Sequence, residues 1–414
     1  MTMLRACAFA LVSALATVPV SARAVDANAR VVELRSDCTG VSNCFTSTSA
    51  LTDWLWGGGP GGRANPPSSS DRVVVLAGPG TFGRFDCDGS AATQGYVSVI
   101  GAGREFTRLE SNDGASGFGG TFYCNGGINA YNCKELNFQD LTAYGSHTGV
   151  FWIGGGSSSW SDVDVVAGGP GAVTACEATT GNSLAWYDID GDGGAAKHYF
   201  FGSRVISRGV VPNNGIDWVV AVDSASIGEI WFYGGDILAE PASSAAYKRA
   251  TGVRLGKGVF EAFGTSIRTR VGAATTATFS NGFEGVDTQA PSQQAKFHIH
   301  GGIIAVDASG SATQVHVRGV RGSGHVHAVD TAFVVKPGGT GTATRLVGNA
   351  TFEAPFLWPG GSSPPNVTSV HGADLFVDTA AGPSQNEAHL MVYDTQCTGA
   401  GGPWRDMAEN ACRQ

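Results

Sequence analysis

Charge is thin in this sequence, and no run of lysine or arginine breaks it. Only 15% of the 414 residues are Asp, Glu, Lys or Arg, against about 25% in an ordinary soluble domain. The 35 acidic residues outnumber the 26 basic ones, for a net charge of −9. Without a basic cluster, nucleic acid is excluded as a partner, because gripping phosphates takes concentrated positive charge. Long apolar runs are missing beyond Ala24, so no membrane span is expected. No Cys-x-x-Cys occurs, which argues against a zinc ribbon. Helical periodicity is also scarce, and the 61 glycines oppose it, since each costs a helix interior about 1 kcal/mol. They suit an all-β chain with many turns. Disorder is excluded by apolar and β-branched residues spread along the whole length.

The stretch from Met1 to Ala24 reads as a signal peptide. It holds Arg5, an apolar stretch from Ala6 to Val20, and Ala22-Arg23-Ala24 as a cleavage site. The expected localisation is therefore secreted, with the periplasm as the other exported compartment. Removing Arg5 and Arg23 with that segment takes the net charge from −9 to −11. Eight cysteines then remain, an even number that favours disulfides in an exported chain. Cys38 with Cys44 and Cys397 with Cys412 form isolated local pairs, one at each end. For the middle four, Cys87–Cys124 with Cys133–Cys176 is one pairing; Cys124–Cys133 nested inside the other two is the second.

The chain repeats itself. "HYFFGSRV", "IWFYGGDI", "FEAFGTSI" and "FHIHGGII" each place a glycine after aromatic or imidazole residues: Gly202, Gly234, Gly264 and Gly301. Asp330 holds the same place in "VHAVDTAF". A second column, anchored on Val222, Leu255, Val286, Val317 and Leu346, runs between them. Both columns recur after roughly 31 residues, a period in the range of solenoids, propellers and arrays. Each period holds short strands and no helix. A propeller blade needs four strands in a longer repeat; the coil of a parallel β-helix fits.

"RVVVLAGPGTFGRFDCD" followed by "YVSVIGAGREFTRLE" resembles the first rungs of the right-handed parallel β-helices of the pectin-lyase-like superfamily. The pattern is similar to the start of pectinesterase-type and related polysaccharide-active proteins. The resemblance implies an all-β, single-stranded right-handed parallel β-helix, and a lyase or hydrolase acting on a polysaccharide. The catalytic signatures of those enzymes are not matched: Gln139-Asp140 is followed by Leu141 where Thr is expected, and "NFQDLTAYG" reads as an ordinary rung. Asn214 of "PNNGIDW" sits where a polygalacturonase-type acid would. The expected domains are the signal peptide (1–24), an N-terminal cap helix and loop (25–71), the β-helix (72–357), and a linker with a small disulfide-tied β unit (358–414). Thr46 to Trp56 reads as the helix that plugs the N-terminal end, with Leu51, Trp54 and Leu55 on one face.

Four groups are candidate sites. Asp188, Asp190 and Asp192, followed by Gly193, match the start of a calcium loop, although Tyr199 stands where its final Glu would be; Ca²⁺ is the one cofactor expected, with no organic cofactor. Strand alternation turns the residues one and three before each marker outward. One outward file is Tyr199, Trp231, Glu261, His298 and His327; the other runs Phe201, Tyr233, Phe263 and His300. Tyr199, Trp231, Tyr233 and His298 are the expected substrate-binding residues, with Glu261 and His298 as the candidates for proton transfer. The plainer reading is that loops cover these rings. The third group, His298, His300, His316, Arg318, Arg321, His325 and His327, reads as a polar outer face, with metal binding by imidazoles on neighbouring rungs as the other possibility. The fourth, Asp223, Asp287 and Arg318 in one column, reads as surface charge. The expected partner is a polysaccharide or cell-surface glycan. A non-catalytic surface, adhesion or structural protein is the competing function.

Overall fold

The computed structural model describes residues 29–57, 62–88, 94–111, 126–168, 183–189, 195–209, 218–241, 249–272, 279–285 and 295–308, with further short segments between 310 and 398. Its repeating unit is a coil of three strands. Val73–Ala77, Gly80–Phe82 and Phe85–Asp88 make one coil; Val97–Ile100, Thr107–Ser111 and Ile128–Tyr131 make the next. Val73 lies opposite Val97, Gly80 opposite Thr107 and Phe85 opposite Ile128, each in parallel. Stacking coil on coil gives three parallel sheets of 13, 11 and 9 strands among the described residues. The protein is a parallel β-helix.

The alternation of each strand fills the interior. In Ala196–Phe201 the residues Ala196, His198 and Phe200 are buried, while Lys197 is exposed and Tyr199 and Phe201 are partly exposed. Inward residues stack from coil to coil. Phe138 lies 4.4 Å from Trp160, Trp160 lies 5.9 Å from Phe200, and Phe200 lies 4.3 Å from Phe232. Thr107 and Leu109, from the turn-and-return stretch after Gly103, are fully buried. Thr107 Oγ1 donates to the Gly78 carbonyl at 2.9 Å and accepts from the Ala102 amide at 2.8 Å, tying one coil to the next.

The marker glycines have a backbone reason. Gly202, Gly234, Gly264 and Gly301 have φ between 58° and 70°, the left-handed conformation that L-residues with a side chain avoid. They turn the chain between the first and second sheets. In earlier coils Asp140 and Asp162 take that conformation, both at φ 52°; Asp tolerates it best after Gly and Asn. "NFQDLTAYG" is therefore an ordinary rung with an Asp turn.

The helix Thr48–Trp56 plugs the N-terminal end. Ser47 caps it by accepting from the Ala50 amide, and Leu51 and Leu55 join the buried core. Trp54 is only partly buried; it packs 5.3 Å from Phe45 with the Arg63 guanidinium over its ring. The first sheet also reaches back beyond residue 72, because Arg30–Leu34 pairs with Val73–Ala77. At the other end, Asp374–Val377 and Leu390–Tyr393, the two strands expected beyond the linker, extend the solenoid. Asp374–Val377 pairs onto Ala332–Lys336, and Leu390–Tyr393 pairs onto Thr368–His371.

Cys38 bridges Cys44 as the sequence predicts. The middle pairing differs from both expectations: Cys87 bridges Cys133, 46 residues away. Register explains it. Cys87 lies opposite Ala130, so the chain leaving the strand Ile128–Tyr131 brings Cys133 back over the previous coil. Cys124, Cys176, Cys412 and the side chain of Cys397 lie outside the described residues, as does the signal segment. Closing so long a loop stabilises by about 4 kcal/mol in the chain-entropy description. The variant Cys87→Ser/Cys133→Ser is expected to unfold at a clearly lower urea concentration. An unchanged midpoint would show that the bridge does not form.

Candidate functional site

The outer face of the first sheet carries the files expected to be outward. Tyr199 lies opposite Trp231, Trp231 opposite Glu261, Glu261 opposite His298, and His298 opposite His327. Phe201, Tyr233, Phe263 and His300 form the neighbouring file in the same register. Every described member of both files is partly exposed, between buried residues that point inward. Ile230 and Phe232 fill the core beneath Trp231.

The second file is a ladder of nearly parallel rings. Phe201 stacks on Tyr233 at 5.1 Å and 7°, Tyr233 on Phe263 at 5.2 Å and 6°, and Phe263 on His300 at 4.8 Å and 9°. Rings that cover one another's faces present their edges to water. In the first file Tyr199 stacks on Trp231 at 6.3 Å, and the ring run then stops, because the next rung is Glu261. Charge borders the rings on one side. Lys197 Nζ holds both carboxylate oxygens of Glu229 at 3.0 Å, and Trp231 Nε1 donates to Glu229 at 3.3 Å. Burial, and then nearby Tyr199 and Glu261, push the Tyr233 phenol above its ordinary value, so it remains a neutral donor at physiological pH.

Glu261 and His298 meet. His298 Nδ1 lies 3.2 Å from Glu261 Oε1, with side chains 34% and 18% exposed. A carboxylate on Nδ1 fixes that nitrogen as the proton-bearing one and turns Nε2 away from it. The pair is thus a carboxylate-oriented imidazole on an accessible face, an arrangement that can move a proton.

The other expected groups land elsewhere. Asp188 is in the strand Ser183–Ile189, fully buried, and accepts from Ser224 Oγ at 3.0 Å; Asp190 and Asp192 lie outside the described residues. The column of Asp223, Asp287 and Arg318 does not form. Asp223 lies opposite Arg254, Arg254 opposite Glu284, and Glu284 opposite Arg321, while Arg318 pairs with Asn281; Asp287 is outside the described residues. The second repeat column slipped for the same reason: Val222 lies opposite Val253, two residues before Leu255. Val253 and Leu255 are both buried, and apolar recurrence cannot tell one from the other.

That column is not plain surface charge either. Asp223 and Glu284 are 4% and 5% exposed, and Arg254 Nη1 donates to both Asp223 oxygens at 3.0 Å. Burial raises the Asp223 carboxyl above its ordinary value, with Arg254 pulling it back. On the same outer face of the third sheet, Phe151, Ile153, Leu184, Tyr187 and Val220 form a satellite core. The covered aromatic cluster thus exists, on the third sheet rather than the first.

The interior holds a polar chain that sequence reading missed. Trp160 Nε1 donates to Ser158 Oγ at 2.6 Å, and Ser158 Oγ lies 2.7 Å from His198 Nδ1. Ser158 thus joins the indole to the imidazole through one hydroxyl, and Nε2 is the ring nitrogen left facing away from it. That nitrogen lies 3.9 Å from Asp188 Oδ2. The sequence signal was an imidazole at an inward position, His198, in the face of Ala196 and Phe200.

Among the described residues no helix is long and apolar enough to cross a membrane. No protein-family model, curated protein or solved structure matches the chain.

Proposed function

We propose that the protein engages an extended extracellular polysaccharide along the outer face of the first sheet, following the solenoid axis over Tyr199, Trp231, Glu261 and His298. The observation that carries this reading is the register: rings, a carboxylate and an imidazole fall in one partly exposed file, with Glu261 bonded to His298. Rings and ring edges offer the apolar patches of a sugar a surface worth about 25 cal/mol per Å² covered, and Tyr199, Tyr233 and Trp231 supply polar edges. If the chain is an enzyme, proton abstraction suits this file better than hydrolysis. Glycoside hydrolysis uses two carboxylates, whereas the file offers a single carboxylate holding an imidazole base, the arrangement for eliminative cleavage beside a uronate carboxyl. The same face without turnover would serve an adhesion or structural protein, and the self-covering ring ladder favours that second reading.

The test separates binding from turnover. Trp231→Ala is expected to lower retention on polysaccharide affinity gels severalfold and leave the melting temperature almost unchanged. Glu261→Gln is expected to keep retention and to abolish release of unsaturated product from uronate polymers. Equal retention of native protein and Trp231→Ala would remove the polysaccharide reading. Retention without any product from the native protein would establish the non-catalytic one.

A further inference from the structure

A third file runs beside the ring files on the outer face of the first sheet. Glu135, Ser157, Lys197, Glu229, Val259 and Lys296 follow one another in register. Lys197, Glu229 and Lys296 stand two residues before Tyr199, Trp231 and His298, and residues two apart in a strand share a face. Carboxylates of this file hold two cations. Glu135 accepts from both Nη atoms of Arg72, at 2.9 and 3.2 Å. Glu229 accepts from Lys197 Nζ with both oxygens at 3.0 Å. Lys296 differs. It has Val259 on the adjacent rung on one side and the position of His325 on the other, and neither is an acid. The carboxylate diagonal to it, Glu261, is bonded to His298 instead. Lys296 is exposed, and among the described residues no hydrogen bond or ion pair holds its ammonium group.

We infer that Lys296 is a specificity-determining residue of this face, and that it takes an acid group of the glycan, a carboxylate or a sulfate ester. The inference rests on the polysaccharide reading above and narrows it to an anionic polymer. An ammonium group carries three donors on a flexible stem. At Lys197 those donors are already spent on Glu229, so an incoming acid group would have to displace a carboxylate. At Lys296 nothing has to be displaced, and the whole of the new charge-assisted bond counts toward binding.

The contrast between the two lysines comes from one substitution along the file: an apolar Val259 follows Glu229 where a second acid would have closed the pair. The bound acid group lies over Val259, one file away from the carboxylate of Glu261.

Retention of the full chain is compared on two pairs of polymers: a polyuronate with its methyl ester, and a sulfated galactan with its desulfated form. Each pair shares a backbone and differs in charge. The native protein is expected to prefer the charged member about threefold to fivefold, the upper range for one solvent-exposed ion pair. The preference should shrink in about 1 M salt, where the screening length falls to about 3 Å. Lys296→Ala should bring the ratio to about one and keep retention of the uncharged member. Lys296→Arg should keep the preference. So should Lys197→Ala/Glu229→Ala, which removes a pair that is already neutral. Preference within the uronate pair alone identifies a carboxylate as the group bound, and within the sulfated pair alone a sulfate ester. Equal retention of charged and uncharged polymers by the native protein, or a preference that survives Lys296→Ala, would overturn the inference and leave the polysaccharide reading standing. A native protein retained on none of the four polymers would remove both.

Discussion

Trp160→Ala is expected to destabilise the protein by about 3–5 kcal/mol, the cost of emptying a fully buried indole site. Trp160 is fully buried. Its ring stacks between Phe138 and Phe200 and meets Trp186 edge-on at 5.1 Å. Its Nε1 also supplies the proton that orients Ser158, so truncation leaves a cavity and loosens a buried polar chain together. Trp231, one strand position off the inward alternation, is the internal control. It is the same residue type in the same sheet, partly exposed, and its loss should cost less than about 1 kcal/mol. Urea unfolding of the two variants side by side is the measurement. Equal losses would mean that the two faces of the first sheet are not distinguished as the register has them.

Acid is expected to destabilise the fold through His198. Burial pushes this imidazole from its ordinary value down to about 3. Asp188 Oδ2 lies 3.9 Å from Nε2. Ser158 faces Nδ1, and the rings of Trp152 and Trp186 stand edge-on at 4.8 Å each, so water has no route to an imidazolium there. The unfolded chain binds a proton near pH 6.5 and the folded chain only near pH 3. Stability is therefore fully present above about pH 6.5 and falls as the pH drops, by about 1.4 kcal/mol per unit until the folded group titrates. His198→Asn keeps an acceptor for Ser158 and removes the titration. Its melting temperature should be lower than native at pH 8, while its further drop between pH 8 and pH 4.5 should be clearly smaller. An identical pH dependence in native and variant would show that His198 is not the acid-sensitive group.

Much of this architecture is written in local residue patterns. Glycine after an aromatic or imidazole pair recurs because the turn between the first and second sheets takes a left-handed backbone, and Gly202, Gly234, Gly264 and Gly301 all adopt it. Strict alternation in "KHYFF", "IWFYG" and "FEAFG" assigned inward and outward residues correctly, since successive side chains in a strand leave opposite faces. The marker period then aligned Tyr199 with Trp231, Glu261 and His298. The spacing of Leu51, Trp54 and Leu55 announced a helix with one buried face, of which Leu51 and Leu55 join the core and Trp54 is partly buried. Each of these signals lies within a few residues, where backbone sterics and strand period act directly.

What the tertiary structure decided involves coils whose relative register no short pattern fixes. A slip of two residues keeps every apolar side chain facing inward, so Leu255 passed as the partner of Val222, and Asp223 was separated from Arg254 and Glu284. Cys87 could not be matched to Cys133 until stacking set Cys87 beside Ala130. Asp188 read as a loop carboxylate because Asp-x-Asp-x-Asp is polar in composition, while the strand it ends turns it inward toward Ser224 and His198. The bond between Glu261 and His298 joins residues 37 apart. Sequence could nominate the two for one file; their contact exists because parallel coils stack about 4.8 Å apart, near enough for a carboxylate on one rung to reach an imidazole on the next.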